Sequence, residues 1–296
     1  MKEIKEKLLI SVSGGETSLR MAKWIWDNWR DRYDIVCVFA NTGEENFQTL
    51  LFLHWFEKYF EIPVYWIEAK VFQGERKSSG YEIVDFYNCS RQGEPFFEIT
   101  KKYGLPNMNS PHCTRELKER PIRSFAKFFL GWNDYFMAIG IRADEADRVS
   151  TKRIEKRLLY PLISNIPHTK QMVNAWWSAQ PFRLFLKGYQ GNCKACWKKS
   201  LKKLYQIAKE TPSAFATFDR IEREYAHYIP EGRKAGKGKP PFFFYRGNKS
   251  ASKILLEAKN WQGEVSDDSL ATNYQGELFD YETDSCEVFS QCGVDN

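Results

Sequence analysis

The sequence predicts an α/β protein built on a parallel sheet, and three observations carry that prediction. Apolar runs of strand length recur early in the chain, at 8–12, 34–40 and 64–67. Between them lie two segments with apolar residues at helical spacing. The resulting β-α-β-α-β order calls for parallel strands joined by right-handed crossovers.

The first strand, Leu8–Val12, ends in small and hydroxyl residues, Ser13-Gly14-Gly15-Glu16-Thr17-Ser18. A helix is expected at once, from about Glu16 to Trp29, with Leu19, Ala22, Trp24, Ile25 and Trp26 as its apolar residues. Such a turn leaves backbone N–H groups unpaired at the helix start, where the dipole is positive and an anion is favoured. Gly14 and Gly15 carry no Cβ, so a phosphate can come close to the backbone, and Ser11, Ser13, Thr17 and Ser18 add hydroxyl donors. An ordinary turn capped by Ser13 or Thr17 is the simpler alternative. The loop is neither a Walker A motif, since no Lys follows the glycines, nor a G-x-G-x-x-G turn.

Asp34–Ala40 is continuous and β-rich, as in a strand covered on both faces. It ends in Asn41-Thr42-Gly43-Glu44-Glu45, before a helix over about 46–60 and a third strand, Val64–Ile67. The segment 69–112 is long and irregular, with one helix near Pro95–Tyr103 and six basic residues that suit a cover over an anion. Thr114 is expected to cap a helix running to about Leu130. A fourth strand, Tyr135–Ile141, precedes Arg142-Ala143-Asp144-Glu145. Helices follow at about 169–179, after Cys193-Lys194-Ala195-Cys196 through Glu210, at 213–225 and at 250–259, with a Gly/Lys hinge at 233–239. Three parts result: a nucleotide-binding α/β part over 1–165, a helical part over 166–260 and an acidic tail over 261–296, expected to be disordered.

The 296 residues carry a formal net charge of +6, unevenly spread. Residues 261–296 hold nine acids and no Lys or Arg, which leaves 1–260 with 44 basic and 29 acidic side chains, a net +15. A body this basic suits a polyanion or a highly phosphorylated ligand, and also serves solubility. No apolar run reaches the length of a membrane span, and the first seven residues hold no signal-like apolar core, so a cytoplasmic protein is expected. Seven cysteines, an odd number, fit a reducing compartment better than a disulfide framework. Cys193-x-x-Cys196 alone is compatible with zinc, a redox pair or half of a cluster site.

Four motifs in order carry a family resemblance: Ser13-Gly14-Gly15-Glu16-Thr17-Ser18; Asn41-Thr42-Gly43; His112-Cys113-Thr114 with Leu117, Lys118 and Pro121; and Gly140-Ile141-Arg142, with Pro161-Leu162 after it. Over about residues 8–200 the chain resembles the phosphoadenosine phosphosulfate reductase family. That family belongs to the PP-loop, adenine-nucleotide α-hydrolase-like superfamily, and the likeness is greatest to its phage and mobile-element branch. The resemblance implies a Rossmann-like (HUP-type) sheet and ATP or a related adenine nucleotide, with Mg2+. It places that nucleotide on Ser11, Ser13, Gly14, Gly15, Glu16, Thr17, Ser18, Asn41, Thr42, Gly43, Arg115, Lys118, Gly140 and Arg142. Ser13, Ser18, Arg142 and Cys113 are its candidate catalytic residues.

The resemblance also implies a 4Fe–4S cluster on Cys113, Cys193 and Cys196, with zinc on the same ligands as the rival. The fourth position is either open or filled by His112, Cys89 or a tail cysteine. Cys37 is expected to be core. Lys194, Lys198, Lys199, Lys202 and Lys203, interleaved with Trp197 and Tyr205, form either a nucleic-acid guide or a solvated helix face.

Three functions follow. The first is an ATP-using transferase that adenylates a substrate oxygen and passes sulfur to it, with a nucleic acid as candidate substrate and a sulfur donor as partner. The second is a sulfonucleotide reductase that releases sulfite with Cys286 or Cys292 of the tail as nucleophile and a thioredoxin-like reductant as partner. The third is a nucleotide- or nucleic-acid-binding protein without turnover. A homodimer stays open.

Overall fold

The computed structural model describes residues 5–230 and 239–272. Six strands form one sheet in the order β4-β3-β2-β1-β5-β6. β1 (Glu6–Val12), β2 (Tyr33–Asn41), β3 (Val64–Lys70), β5 (Phe136–Ile139) and β6 (Leu158–Leu159) run parallel. β4 (Gly80–Val84) pairs antiparallel with β3 at the edge.

Strand alternation divides the side chains between two cores. Leu8, Ile10 and Val12 of β1 face one way with Cys37 and Phe39 of β2. They meet Leu19, Ala22 and Ile25 of α1 (Glu16–Trp29), Phe52 and Phe56 of α2 (Phe47–Phe60), and Trp177 of α7 (Lys170–Ser178). Leu9, Val38 and Ile67 face the other way, onto Ile122 and Phe125 of α5 (Arg120–Phe128). Continuous apolar strands between two helical layers follow from this arrangement. A third core is helical, from α3 (Glu94–Tyr103), α8 (Leu201–Glu210), α9 (Ala216–Tyr225) and α10 (Ala251–Asn260). It contains Cys113, Cys193 and Cys196.

Two expectations need correction. Thr114 caps no helix: the helical path begins at α4 (His112–Thr114), after Pro111. It then widens into a π-turn over Arg115–Glu119, where the Arg120 N–H donates to the Arg115 carbonyl. Pro121 has no N–H for the Leu117 carbonyl and its ring crowds that oxygen, so the turn ahead of it opens. The irregular stretch 69–112 also contains β4, missed because none of its five residues is fully buried. α6 (Pro161–Ser164) is one short turn.

The Gly/Lys hinge at 233–239 falls outside the described residues except for Lys239, and so do residues 273–296. The start of the acidic stretch, 261–272, is held in place. Asn174 donates to the carbonyls of Asp268 (3.0 Å) and Ala271 (2.8 Å), and Arg183 donates to that of Ser269 (2.7 Å).

Candidate active site

Three loops leave the carboxyl ends of adjacent parallel strands, where open α/β sheets bind ligands. The first follows β1. Gly14 has φ +78° and Gly15 is the N-cap of α1, with no side chain capping the helix. A Cβ on Gly14 would stand 2.7 Å from Thr49 Cγ2, so neither its torsion nor its surroundings admit a side chain. Ser18 Oγ accepts from the Ser13 N–H (3.1 Å) and donates to the Gly15 carbonyl (3.0 Å), which curls the loop over the helix start. Ser11 is buried on β1, immediately beneath.

Glu16 is the one acid in the first turn of α1. Its carboxylate is bound by Arg183 (3.1 Å at each oxygen) and by the Leu184 N–H (3.2 Å). Burial raises its pKa above the usual carboxylate value, against the pull of Arg183. The sequence reading placed Glu16 on the nucleotide; in the fold its carboxylate is engaged by the segment after α7, and Trp177 Nε1 donates to its carbonyl (2.9 Å).

The second loop follows β5. Gly140 packs so closely on Ser18 that a Cβ would lie 2.8 Å from its Cα. That contact brings Arg142 to the first loop, where its guanidinium reaches Thr17 Oγ1 at 3.4 Å. Asp144 (2.9 Å) and Glu145 (3.3 Å) flank the same guanidinium, and Arg148 pairs with Glu145. The Ala143 N–H donates to the His168 carbonyl (2.9 Å), which fixes the loop.

The third loop follows β2. Asn41 donates to Glu68 (2.6 Å) and to the Ser90 carbonyl (2.8 Å). Glu68 was not singled out from sequence; an acid closing an otherwise apolar strand was its only signal. Gly43 has φ +77° and lies against Gly93 and Pro95. Thr42 Oγ1 bonds the Glu45 carboxylate (2.9 Å) and lies 3.5 Å from Cys193 Sγ. The Lys194 N–H donates to the Glu44 carbonyl (2.8 Å), Glu45 forms a bridge with Cys193, and Asn46 donates to the Gln190 carbonyl (2.9 Å). The third loop is thus bonded along its length to the Cys-x-x-Cys segment.

Cys113, Cys193 and Cys196 line one small cavity that opens to the surface. Phe96, Leu117, Trp197 and Phe218 supply apolar wall, with Thr42, Thr114 and Lys118 as the polar members. Sequence separation of 80 residues is closed by α3, α8 and α9 packing in one core around it. Lys118 therefore stands at the cysteine cavity, and Arg115 beside it bonds Glu116 (2.9 Å).

Among the described residues no three His, Cys, Asp or Glu side chains converge on one metal ion. A single zinc requires thiolates about 3.8 Å apart, at the corners of one tetrahedron. A cubane cluster asks less of convergence, because each thiolate binds its own iron and the three need only face a shared space. Three buried thiols on one largely apolar cavity, with a lysine to offset negative charge, fit that demand.

Cys89 is not a fourth ligand: it lies in the α1–α2 core, its thiol on the Phe86 carbonyl and pushed up to about 11 by burial. His112 is buried next to Cys113, with Nδ1 3.2 Å from Ser110 Oγ. Cys286 and Cys292 lie outside the described residues. Cys37 is core, as expected, its thiol raised to about 12 by full burial.

The lysine stripe is not simply a solvated face. Lys199 is buried on the carbonyls of Tyr189 and Gly191, Lys194 donates to the Arg91 carbonyl (3.1 Å), and Lys198 lies 3.4 Å from Thr114 Oγ1. Trp197 is buried. Of these residues Trp197 lines the cysteine cavity, and Lys198 stands behind its Thr114.

No family model matches the chain. It is 27% identical over 286 residues to an uncharacterized nin region protein of Escherichia phage lambda, covering 95% of this chain and 94% of that one. It is 24% identical over 251 residues to an uncharacterized protein of Methanocaldococcus jannaschii, covering 78% of this chain and 45% of the other, so it spans under half of that relative. Among solved structures, the U34-tRNA thiolase NcsA from Methanococcus maripaludis with its 4Fe–4S cluster aligns with a TM-score of 0.39 at 15% identity. That alignment covers 86% of this chain and 81% of that one. The chain is thus an α/β protein of mostly parallel sheet, similar over nearly its whole length to a phage protein. No helix among the described residues is long and apolar enough to cross a membrane.

Proposed function

We propose that this chain is a PP-loop transferase that adenylates an acceptor oxygen with ATP and replaces that oxygen by sulfur at a cysteine-lined centre. The observation that carries the reading is Thr42. It belongs to the loop between the Ser13–Ser18 turn and the cysteines, and its hydroxyl touches Cys193. The α/β part over 1–165 and the helical part over 166–260 then act as one site.

In this reading the ATP phosphates lie on the uncapped start of α1, against the backbone of Gly14 and Gly15. Mg2+ accompanies the phosphates. Ser13 and Thr17 offer hydroxyls, the buried Ser18 hydroxyl holds the loop in shape, and Arg142 faces the phosphate nearest Thr17. Arg183 holds the Glu16 carboxylate, which keeps that charge off the anion. The acceptor oxygen attacks the α-phosphorus, the bond to the β-phosphate oxygen breaks, and pyrophosphate leaves with its charge offset by Arg142. A hydrosulfide equivalent from an external donor then adds to the activated carbon; AMP departs with the oxygen, and one proton is released. Cys113, Cys193 and Cys196 would hold a 4Fe–4S cluster, which supplies an iron able to bind and deliver sulfide. Lys118 at the cavity, with Lys198 beside its Thr114, favours a polyanionic acceptor, a nucleic acid.

Pyrophosphate release tests the proposal. Purified protein with ATP, Mg2+, sulfide and bulk cellular RNA should release pyrophosphate and AMP. No pyrophosphate with RNA, DNA or small carbonyl acceptors refutes it. Sulfite from a sulfonucleotide, lost in Cys286→Ser or Cys292→Ser, would favour the reductase.

A further inference from the structure

The Cys-x-x-Cys loop is gripped from behind by a strap, residues 242–251, that no motif in the sequence marks. Tyr245 is 2% exposed, and its hydroxyl donates to the Ala195 carbonyl (3.1 Å), between the two cysteines. Arg246, next along the strap, donates to the Lys198 carbonyl (3.0 Å), two residues beyond Cys196.

One carboxylate closes the strap. Glu222 of α9, 4% exposed, accepts from the Phe244 N–H at one oxygen (2.9 Å) and from the Ala251 N–H at the other (2.7 Å). The loop between these donors turns tightly, with Tyr245 and Lys249 exchanging backbone hydrogen bonds and Gly247 at φ +70°. Phe244 also packs on Phe218, with ring centroids 4.9 Å apart, and Phe218 lines the cysteine cavity.

We infer that Tyr245, set by Glu222, is a positioning residue that fixes the Cys193–Cys196 loop in the conformation presenting both thiols to the cavity. The inference rests on the reading of that cavity as the reactive centre. Its physical content is narrow. A buried carbonyl inside the loop is held by one phenol, and that phenol's place is set by a carboxylate receiving two backbone donors. Cys113 lies on α4, a different segment of the cavity wall from the Cys-x-x-Cys loop that Tyr245 bonds.

The test is residue-resolved alkylation of reduced, metal-free protein by iodoacetamide, followed by mass spectrometry. Tyr245→Phe removes only the hydroxyl. It should raise alkylation of Cys193 and Cys196 by about 3- to 10-fold, the span one buried hydrogen bond supports, and leave Cys113 unchanged. Glu222→Gln, which turns an amide NH2 toward one of the two N–H donors, should do the same. Tyr160→Phe is the control, since the Tyr160 hydroxyl accepts from the Ser150 N–H (3.2 Å) in a different core, and it should leave all three rates unchanged.

Equal acceleration at all three cysteines in Tyr245→Phe would mean general loosening and overturn the inference, as would no change at all. Should Glu222→Gln fail to fold, Tyr245→Phe still decides. The readout needs neither metal nor nucleotide. A protein that holds no iron and turns over no ATP refutes the proposed function without touching this result.

Discussion

Replacing Gly14 by alanine tests the loop geometry on which nucleotide binding depends. The left-handed torsion at φ +78° costs an L-residue about 1–2 kcal/mol. The new Cβ would stand 2.7 Å from Thr49 Cγ2, and relieving that overlap in a packed setting costs about 1–3 kcal/mol more. Gly14→Ala should therefore lower unfolding free energy by about 2–5 kcal/mol. The two parts are separable. Thr49→Ser removes Cγ2 and keeps the hydroxyl, so Gly14→Ala/Thr49→Ser should recover the steric part and retain the torsional one. Urea denaturation of the four proteins in a double-mutant cycle measures this, with ATP titration calorimetry alongside. A Gly14→Ala loss below about 0.5 kcal/mol, or no recovery by Thr49→Ser, refutes the loop geometry.

Three further outcomes follow from the site. Arg142→Ala should cut pyrophosphate release by about 100-fold, as loss of a group stabilising developing charge does, with melting temperature unchanged; equal turnover removes Arg142 from the site. Burial pushes the Glu222 carboxyl from 4.5 up to about 7. A raised acid pKa makes its contribution to folding full below pH 4.5 and progressively lost as pH rises to about 7, by up to about 3 kcal/mol. Glu222→Gln should flatten that fall in denaturation curves at pH 5, 6 and 7; an unchanged slope contradicts it. Cys193→Ala should abolish iron binding while Cys89→Ala keeps it, since Cys89 lies in another core; iron loss in Cys89→Ala would contradict the ligand set.

Much of the fold was legible because strands and helices carried their own periods. α1 was expected at Glu16–Trp29 and is found there, since Gly14-Gly15 ends the strand and the apolar face starts at Leu19. β4 was not legible: a five-residue edge strand with no fully buried residue shows no hydrophobic period. The π-turn at Arg115–Glu119 was hidden because Pro121 acts on a carbonyl four residues earlier, which spacing rules for caps do not register.

The site was legible in its glycines and cysteines and not in its supports. Gly14 and Gly43 both have positive φ, a demand that a glycine in sequence advertises. The meeting of Cys113 with Cys193 and Cys196 came only from the family resemblance, because nothing local joins residues 80 apart. Glu45, Glu68, Arg183 and Tyr245 act through long-range hydrogen bonds that leave no pattern in the chain.

Anaerobic purification followed by iron, acid-labile sulfide and zinc analysis tests the account most directly. Iron and sulfide are expected in equal amounts, both lost in Cys113→Ala, Cys193→Ala and Cys196→Ala. One zinc without iron, or iron that survives all three substitutions, would contradict it.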